Sequence, residues 1–143
     1  MGKTNWNRVF LGGLLAGLVS IVIGFATWAI YLGNLWTPAL EGLGHPLQES
    51  GGVYVLAVVM SFVGGILAVW LYSAIRPRYG AGAKTAVIAG FAVWLFGGLL
   101  PAISYGSMGL FPGNVLVIDS LTYLVVLIVS TLAGAWVYRE QAQ

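Results

Sequence analysis

The sequence predicts an all-α polytopic membrane protein, a four-helix bundle with both termini on the cytoplasmic side. Three features carry this. Of 143 residues, 59% are apolar and 7% charged, where a soluble domain carries about 25% charged. The few charges separate uncharged apolar runs long enough to cross the roughly 30 Å hydrocarbon core, which takes about 20 helical residues. All the basic residues fall on one side of those runs.

The first uncharged run, Val9 to Leu40, is apolar up to Gly33, and the second extends from Ser50 to Ile75. A third, Thr85 to Ile118, must break where Pro101, Gly106, Gly109, Pro112 and Gly113 gather, because Pro and Gly oppose a continuous helix. The fourth runs from Ser120 to Tyr138. Helices are therefore expected near 7–33, 52–75, 84–106 and 114–138, in one integral membrane domain over 1–143. Pro101, beside Gly97 and Gly98, should kink or end helix 3. The long loop Asn34 to Gly51 is expected to form a partly ordered cap. A membrane strand would alternate apolar with polar residues, whereas these runs are apolar at odd and even positions alike. A cleaved signal uses an apolar region of about 7 to 15 residues. The first run is longer, and it is taken as a retained span.

Lys3, Arg8, Arg76, Arg78, Lys84 and Arg139 flank the helices on one side, while Glu41, His45, Glu49 and Asp119 mark the other. By the positive-inside rule the basic side is cytoplasmic. Trp6, Trp36, Trp70, Trp136, Tyr72 and Tyr138 lie near the expected helix ends, where amphipathic rings favour the headgroup level.

An ungapped shift of 66 residues places Gly24, Phe25, Ala26 and Trp28 on Gly90, Phe91, Ala92 and Trp94, and Trp70 and Tyr72 on Trp136 and Tyr138. This suggests a tandem repeat of two-helix hairpins, 9–74 and 75–140. Each copy would hold two helices, so both would enter the membrane from the same side.

Membrane helices associate through close packing of small residues. Here they recur at four-residue spacing: Gly13 and Gly17, Ser20 and Gly24, Ala57 with Ser61 and Gly65, Gly82 with Ala86 and Gly90, Ser130 and Gly134. Such faces serve either packing within one bundle or association between subunits.

Asp119 is the one formal charge inside an expected span, and an intramembrane ionisable group is a candidate proton or cation site. If Asn114 caps helix 4, Asp119 is about 7 to 8 Å deep. Its donors would be Ser120, Tyr123 or the lone His45. Glu41, His45 and Glu49 have helical spacing for a metal, but Gly42, Gly44 and Pro46 oppose a shared face, and no metal is expected. Arg76, Arg78 and Lys84 would meet lipid headgroups. The absence of cysteine excludes disulfides and thiolate chemistry. No Ser, His and Asp set has a plausible common location, so an enzyme is not expected. No cofactor is expected either, although a pigment or quinone packed on Trp28, Trp94 and Tyr123 would leave no motif. Nucleic acid is not an expected partner.

The segments GGLLAGLV (from Gly12), WLYSAIRPRYGAGAKTA (from Trp70), GFAVW (from Gly90) and TLAGAWVYRE (from Thr131) touch all four helices. Through them the sequence resembles an uncharacterised family of small bacterial four-span integral membrane proteins. The resemblance implies a bacterial plasma-membrane location and transfers no functional residue. Small-residue faces, aromatic girdles and missing catalytic chemistry lead to the expectation of lateral association, as a homo-oligomer or an accessory subunit of a larger complex. The alternatives are a small transporter or channel using Asp119, and a lipid or quinone binder.

Overall fold

The computed structural model describes residues 4–48 and 50–139. Lys3, Glu49 and Glu140 lie outside the described residues. Within them the chain is helical, with four helices long and apolar enough to cross a membrane: α1 Trp6–Gly42, α2 Gly51–Tyr79, α3 Ala83–Ser107 and α4 Gly113–Val137.

Local chemistry sets the ends. The Asn5 side chain accepts from the Arg8 amide at 3.2 Å to cap α1, and Ser50 accepts from Val53 at 3.4 Å to cap α2, each meeting a backbone donor that a first turn leaves unpaired. Helix α4 starts at Gly113 after Pro112, so Asn114 lies inside the helix and is not its cap. Gly80 and Gly82 take positive φ between α2 and α3, and the Thr85 hydroxyl donates to the Gly80 carbonyl at 2.7 Å, closing the turn. At the opposite end Gly44 and Gly109 have φ of 74° and 68°. His45 and Leu110 there donate back to the Leu40 and Tyr105 carbonyls, the wide C-terminal closure that a left-handed glycine permits.

One boundary differs from expectation. Helix α1 does not stop near Gly33. It passes through a single π-helical turn at Trp28–Leu32 and continues to Gly42 with Pro38 inside it. The apolar run ends at Gly33, but the helix goes on because Trp36 packs on Phe111, ring centroids 4.9 Å apart. At 37 residues it is about 55 Å long at 1.5 Å per residue, so it overhangs a bilayer core of roughly 30 Å or tilts in it. Helix α3 runs to Ser107, close to the expected 84–106, and Pro101 does not end it. A π-helical turn at Leu95–Leu99 comes first, and Pro101 then falls in the first turn of the resumed segment Leu100–Ser107, where its missing N–H costs little.

Helix α1 packs on α2 and α4, α3 packs on α4 and α2, and α2 and α4 touch across the middle. The crossings are built on glycine. A Cβ on Gly65 would lie 2.5 Å from the Gly13 carbonyl oxygen and from the Gly17 nitrogen, and one on Gly12 would lie 2.5 Å from the Gly134 carbonyl oxygen. At Gly90 the nearest atoms, Thr131 Oγ1 and the Leu127 carbonyl oxygen, would stand at 3.0 and 3.1 Å. Backbone-to-backbone approach of this kind gives dispersion contact without competing lipid. The core gathers toward the basic end: Val9, Ala16, Val69, Tyr72, Ala86, Ala89, Ala135 and Tyr138 form one buried cluster. Tyr72 and Tyr138 meet edge to face at 5.9 Å. Their hydroxyls accept from the amides of Gly82 and Asn5, the residues preceding α3 and α1. Both ends of the described chain therefore meet at the basic end of the bundle.

Candidate functional site

Toward the acidic end the bundle opens. From Gly51 to Met60 every residue of α2 except Val58 is exposed, so this half of the helix stands away from its neighbours. Two hollows lie beside α2, one along this exposed half and one farther on, from Met60 to Ala68. One, of ≈ 280 Å³, lies between α1 and α2 and is lined by Ser20, Gly24, Trp28, Tyr54, Ala57 and Ser61 among others. Phe25 and Tyr54 stack beside it, ring centroids 6.1 Å apart. The second, of ≈ 340 Å³, lies between α2, α3 and α4, with Ser20 of α1 shared by both.

The two tryptophans paired by the 66-residue shift have different fates. Trp94 is buried, and its indole donates to the Ser120 carbonyl of α4 at 2.8 Å, drawing α3 and α4 together. Trp28 is half-buried and lines the open α1–α2 groove instead.

Asp119, in the second turn of α4, is half-buried. Its donor is none of the groups expected from sequence. The Trp36 indole reaches it at 3.1 Å from the extended end of α1, an approach available only because α1 continues past Gly33. Trp36 also packs on Phe111, which meets Tyr105 at 6.0 Å, so the carboxylate adjoins an aromatic cluster held by a neutral donor. His45 is exposed beyond the end of α1 and does not approach this site as a donor; Glu41 is also exposed. Glu49 is outside the described residues. Among the described residues no three metal-capable side chains come together.

The small-residue positions divide. Gly13, Gly17, Gly65, Gly90 and Gly134 sit at helix crossings, and Ala86 is fully buried. Gly12, which the four-residue spacing passed over, makes one of the closest approaches. Ser61 is not part of a tight crossing: its hydroxyl returns to the Ala57 carbonyl at 2.8 Å and its side lines both hollows. Gly24 has nothing within 4 Å of where a Cβ would be. Ser130 is buried in the wall of the second hollow. At the basic end Arg78 and Lys84 are exposed, while Arg76 is half-buried with its guanidinium 5.5 Å from the Tyr138 ring centroid.

The missed residues, Gly12 and Trp36, were visible only in part: Trp36 carried a girdle signal, but its pairing with Asp119 spans 83 positions. No protein-family model, curated protein or solved structure matches this chain.

Proposed function

We propose that this chain is a non-enzymatic membrane protein that acts by lateral association, seating a transmembrane helix of a second copy or of a larger complex in the groove between α1 and α2. The observation that carries this is Gly24. Gly12, Gly13 and Gly17 on the same helix are each consumed by a crossing, whereas a Cβ on Gly24 would meet no neighbouring helix within 4 Å. A glycine inside a helix costs about 1 kcal/mol relative to alanine, and here the bundle gains no contact in return. With Ser20, Ala57 and Ser61 it leaves a smooth apolar trough of the type that lets a helix backbone approach.

In this reading the protein lies in a bacterial plasma membrane with its basic end and both termini in the cytoplasm. The charge asymmetry supports that orientation, and the bond from Asn5 to Tyr138, near the two ends of the described chain, supports a common side for both. The hairpins are read as tandem copies. Support comes from the two tyrosines, which keep the 66-residue spacing and play the same part toward α3 and α1. Only the starts of α1 and α3 depart from that spacing: Asn5 and Gly82 are farther apart than the tyrosines that bind them, although Gly24 to Trp28 and Gly90 to Trp94 keep it. A carrier reading through Asp119 and His45 has less support, because the first is bonded to Trp36 and the second is exposed.

The cysteine-free chain makes the test clean. A single cysteine at Gly24, expressed in native membranes, should cross-link to a partner under mild oxidation or with a short bis-maleimide, and Gly24→Leu should abolish the associated mass while leaving the bundle folded. A strictly monomeric particle with no native partner, or unchanged association in Gly24→Leu, would overturn the proposal.

A further inference from the structure

The outer arm of α1, Gly33–Gly42, rises from the bundle with no buried residue. Its base is pinned and its body is not. At the base Tyr31, inside the π-helical turn Trp28–Leu32, shares a hydroxyl bond of 2.6 Å with Thr122 of α4. Above it, among the described residues, the hydrogen bond and the ring contact that tie the arm to the rest of the protein both come from one side chain, Trp36, which reaches Asp119 and Phe111. Long helices bend at π-helical turns, and this one lies directly below the arm.

The far end of the arm bears on the α1–α2 groove. Gly44 turns the chain back with φ of 74°, and Leu47 and Gln48 then line the groove beside Val53 and Tyr54. Leu47 is half-buried there, whereas Glu41 to Pro46 are all exposed. Arm and return segment form one strap, 33–48, fastened at Trp36 and resting on the groove at Leu47.

The arm is also amphipathic. At helical spacing Leu35, Trp36, Ala39 and Leu40 share one face, and Asn34, Thr37 and Glu41 share the other, the pattern of a helix that lies at a membrane surface. Detached from Asp119, it has a resting place in the headgroup layer, where its apolar face stays covered. One hydrogen bond and one ring edge make a tie weak enough to exchange for that.

We infer that residues 33–48 are a hinged strap latched by Trp36 on Asp119. Latched, the strap holds Leu47 against the outer end of the groove; released, the arm pivots at the π-helical turn, lies down on the membrane surface and uncovers it. The inference rests on the lateral-association reading for one consequence only, that unlatching raises association. Hinge and latch are tested apart from it.

The test uses the full chain in phosphatidylcholine nanodiscs, spin-labelled on cysteines placed at the exposed positions Leu43 and Val117, with the separation read by double electron–electron resonance. The parent should give one short distance. Trp36→Ala should add a population longer by roughly 10 to 15 Å, the reach of a ten-residue arm laid over. Trp36→Phe, which keeps the ring on Phe111, should raise the ratio of long to short distances three- to tenfold over the parent, as for loss of one hydrogen bond. Asp119→Asn keeps an acceptor oxygen and should stay near the parent. A tryptophan needed only for folding would lower the melting temperature without a second distance. In native membranes, cross-linking through a cysteine at Gly24 should rise when Trp36→Ala is added. An unchanged distance distribution in Trp36→Ala would overturn the strap, as would release that leaves an existing Gly24 cross-link unaltered. Absence of that cross-link from every variant would strike the groove reading instead, and the distances would still decide the latch.

Discussion

Neighbouring glycines on α2 give the sharpest test of how the bundle is held. Gly65 faces α1 and Gly64 faces open space. In Gly65→Ala the new methyl would stand 2.5 Å from the Gly13 carbonyl oxygen and the Gly17 nitrogen and 3.0 Å from the Gly17 Cα, all atoms of helical backbone that cannot swing aside. Restoring ordinary contact means parting α1 and α2 by roughly 0.9 Å, a gap that forfeits a quarter to a half of each dispersion contact along the crossing. Overpacking of this kind costs about 1 to 3 kcal/mol. Alanine's better helix propensity returns about 1 kcal/mol at most. The expected net loss is up to about 2 kcal/mol, at most roughly a thirtyfold shift of the folding equilibrium at 1.36 kcal/mol per decade. Gly64→Ala has the same gain without the clash, so it should be neutral or more stable by up to about 1 kcal/mol. Unfolding by rising dodecyl sulfate fraction in mixed micelles, followed by far-ultraviolet circular dichroism and tryptophan fluorescence, measures both. If the two variants shift together, or if Gly65→Ala is the more stable, the glycine crossing does not hold the helices as argued.

At the acidic end, Trp36→Phe keeps a ring against Phe111 but removes the donor to Asp119. It should cost about 1 kcal/mol, whereas Asp119→Asn retains an acceptor oxygen and should cost less; equal stability of Trp36→Phe and the parent in the same unfolding assay would show the bond to be idle. At the basic end, Tyr72→Phe should release the Gly82 amide and Tyr138→Phe the Asn5 amide. Site-resolved hydrogen exchange should accelerate at one amide per variant, with about 1 kcal/mol lost in each, and exchange that rises at both sites or neither would remove the paired roles assigned to the two tyrosines.

The number and placement of spans could be read from sequence because hydropathy reports a requirement on every residue of a crossing, and four long uncharged runs leave little freedom. The end of α1 could not. Gly33 closes the apolar run, yet the helix persists to Gly42, since helicity there depends on Trp36 reaching Asp119 and Phe111, contacts far off in sequence. Pro101 left open whether α3 would kink or end: proline reports a missing donor, and whether that breaks a helix depends on what precedes it. The π-helical turn places Pro101 where no donor is needed. Four-residue spacing found the crossings but did not separate Gly65 from Gly24, because the same small residue can admit a neighbour or leave a void, and only packing decides which. Of the residues aligned by the ungapped shift, Tyr72 and Tyr138 make matching hydrogen bonds at the basic end, while Trp28 and Trp94 differ, one lining an open groove and the other bonded to α4.

That difference bears on how the two halves of the molecule are built. The basic half holds the buried cluster, the tyrosine pair and the backbone-to-backbone crossings, so it supplies the contacts that hold four helices together without a hydrophobic drive between them. With stability lodged there, the outer half of α2 can stand apart without unravelling the fold, its backbone bonds being satisfied within the helix itself. On the α3–α4 side the Trp94 indole closes the corresponding seam by taking a carbonyl of α4. On the α1–α2 side no such bond draws Trp28 inward, and the small residues beside it stay uncovered. One seam thus stays open beside a closed one, and the proposed lateral association would use the open one.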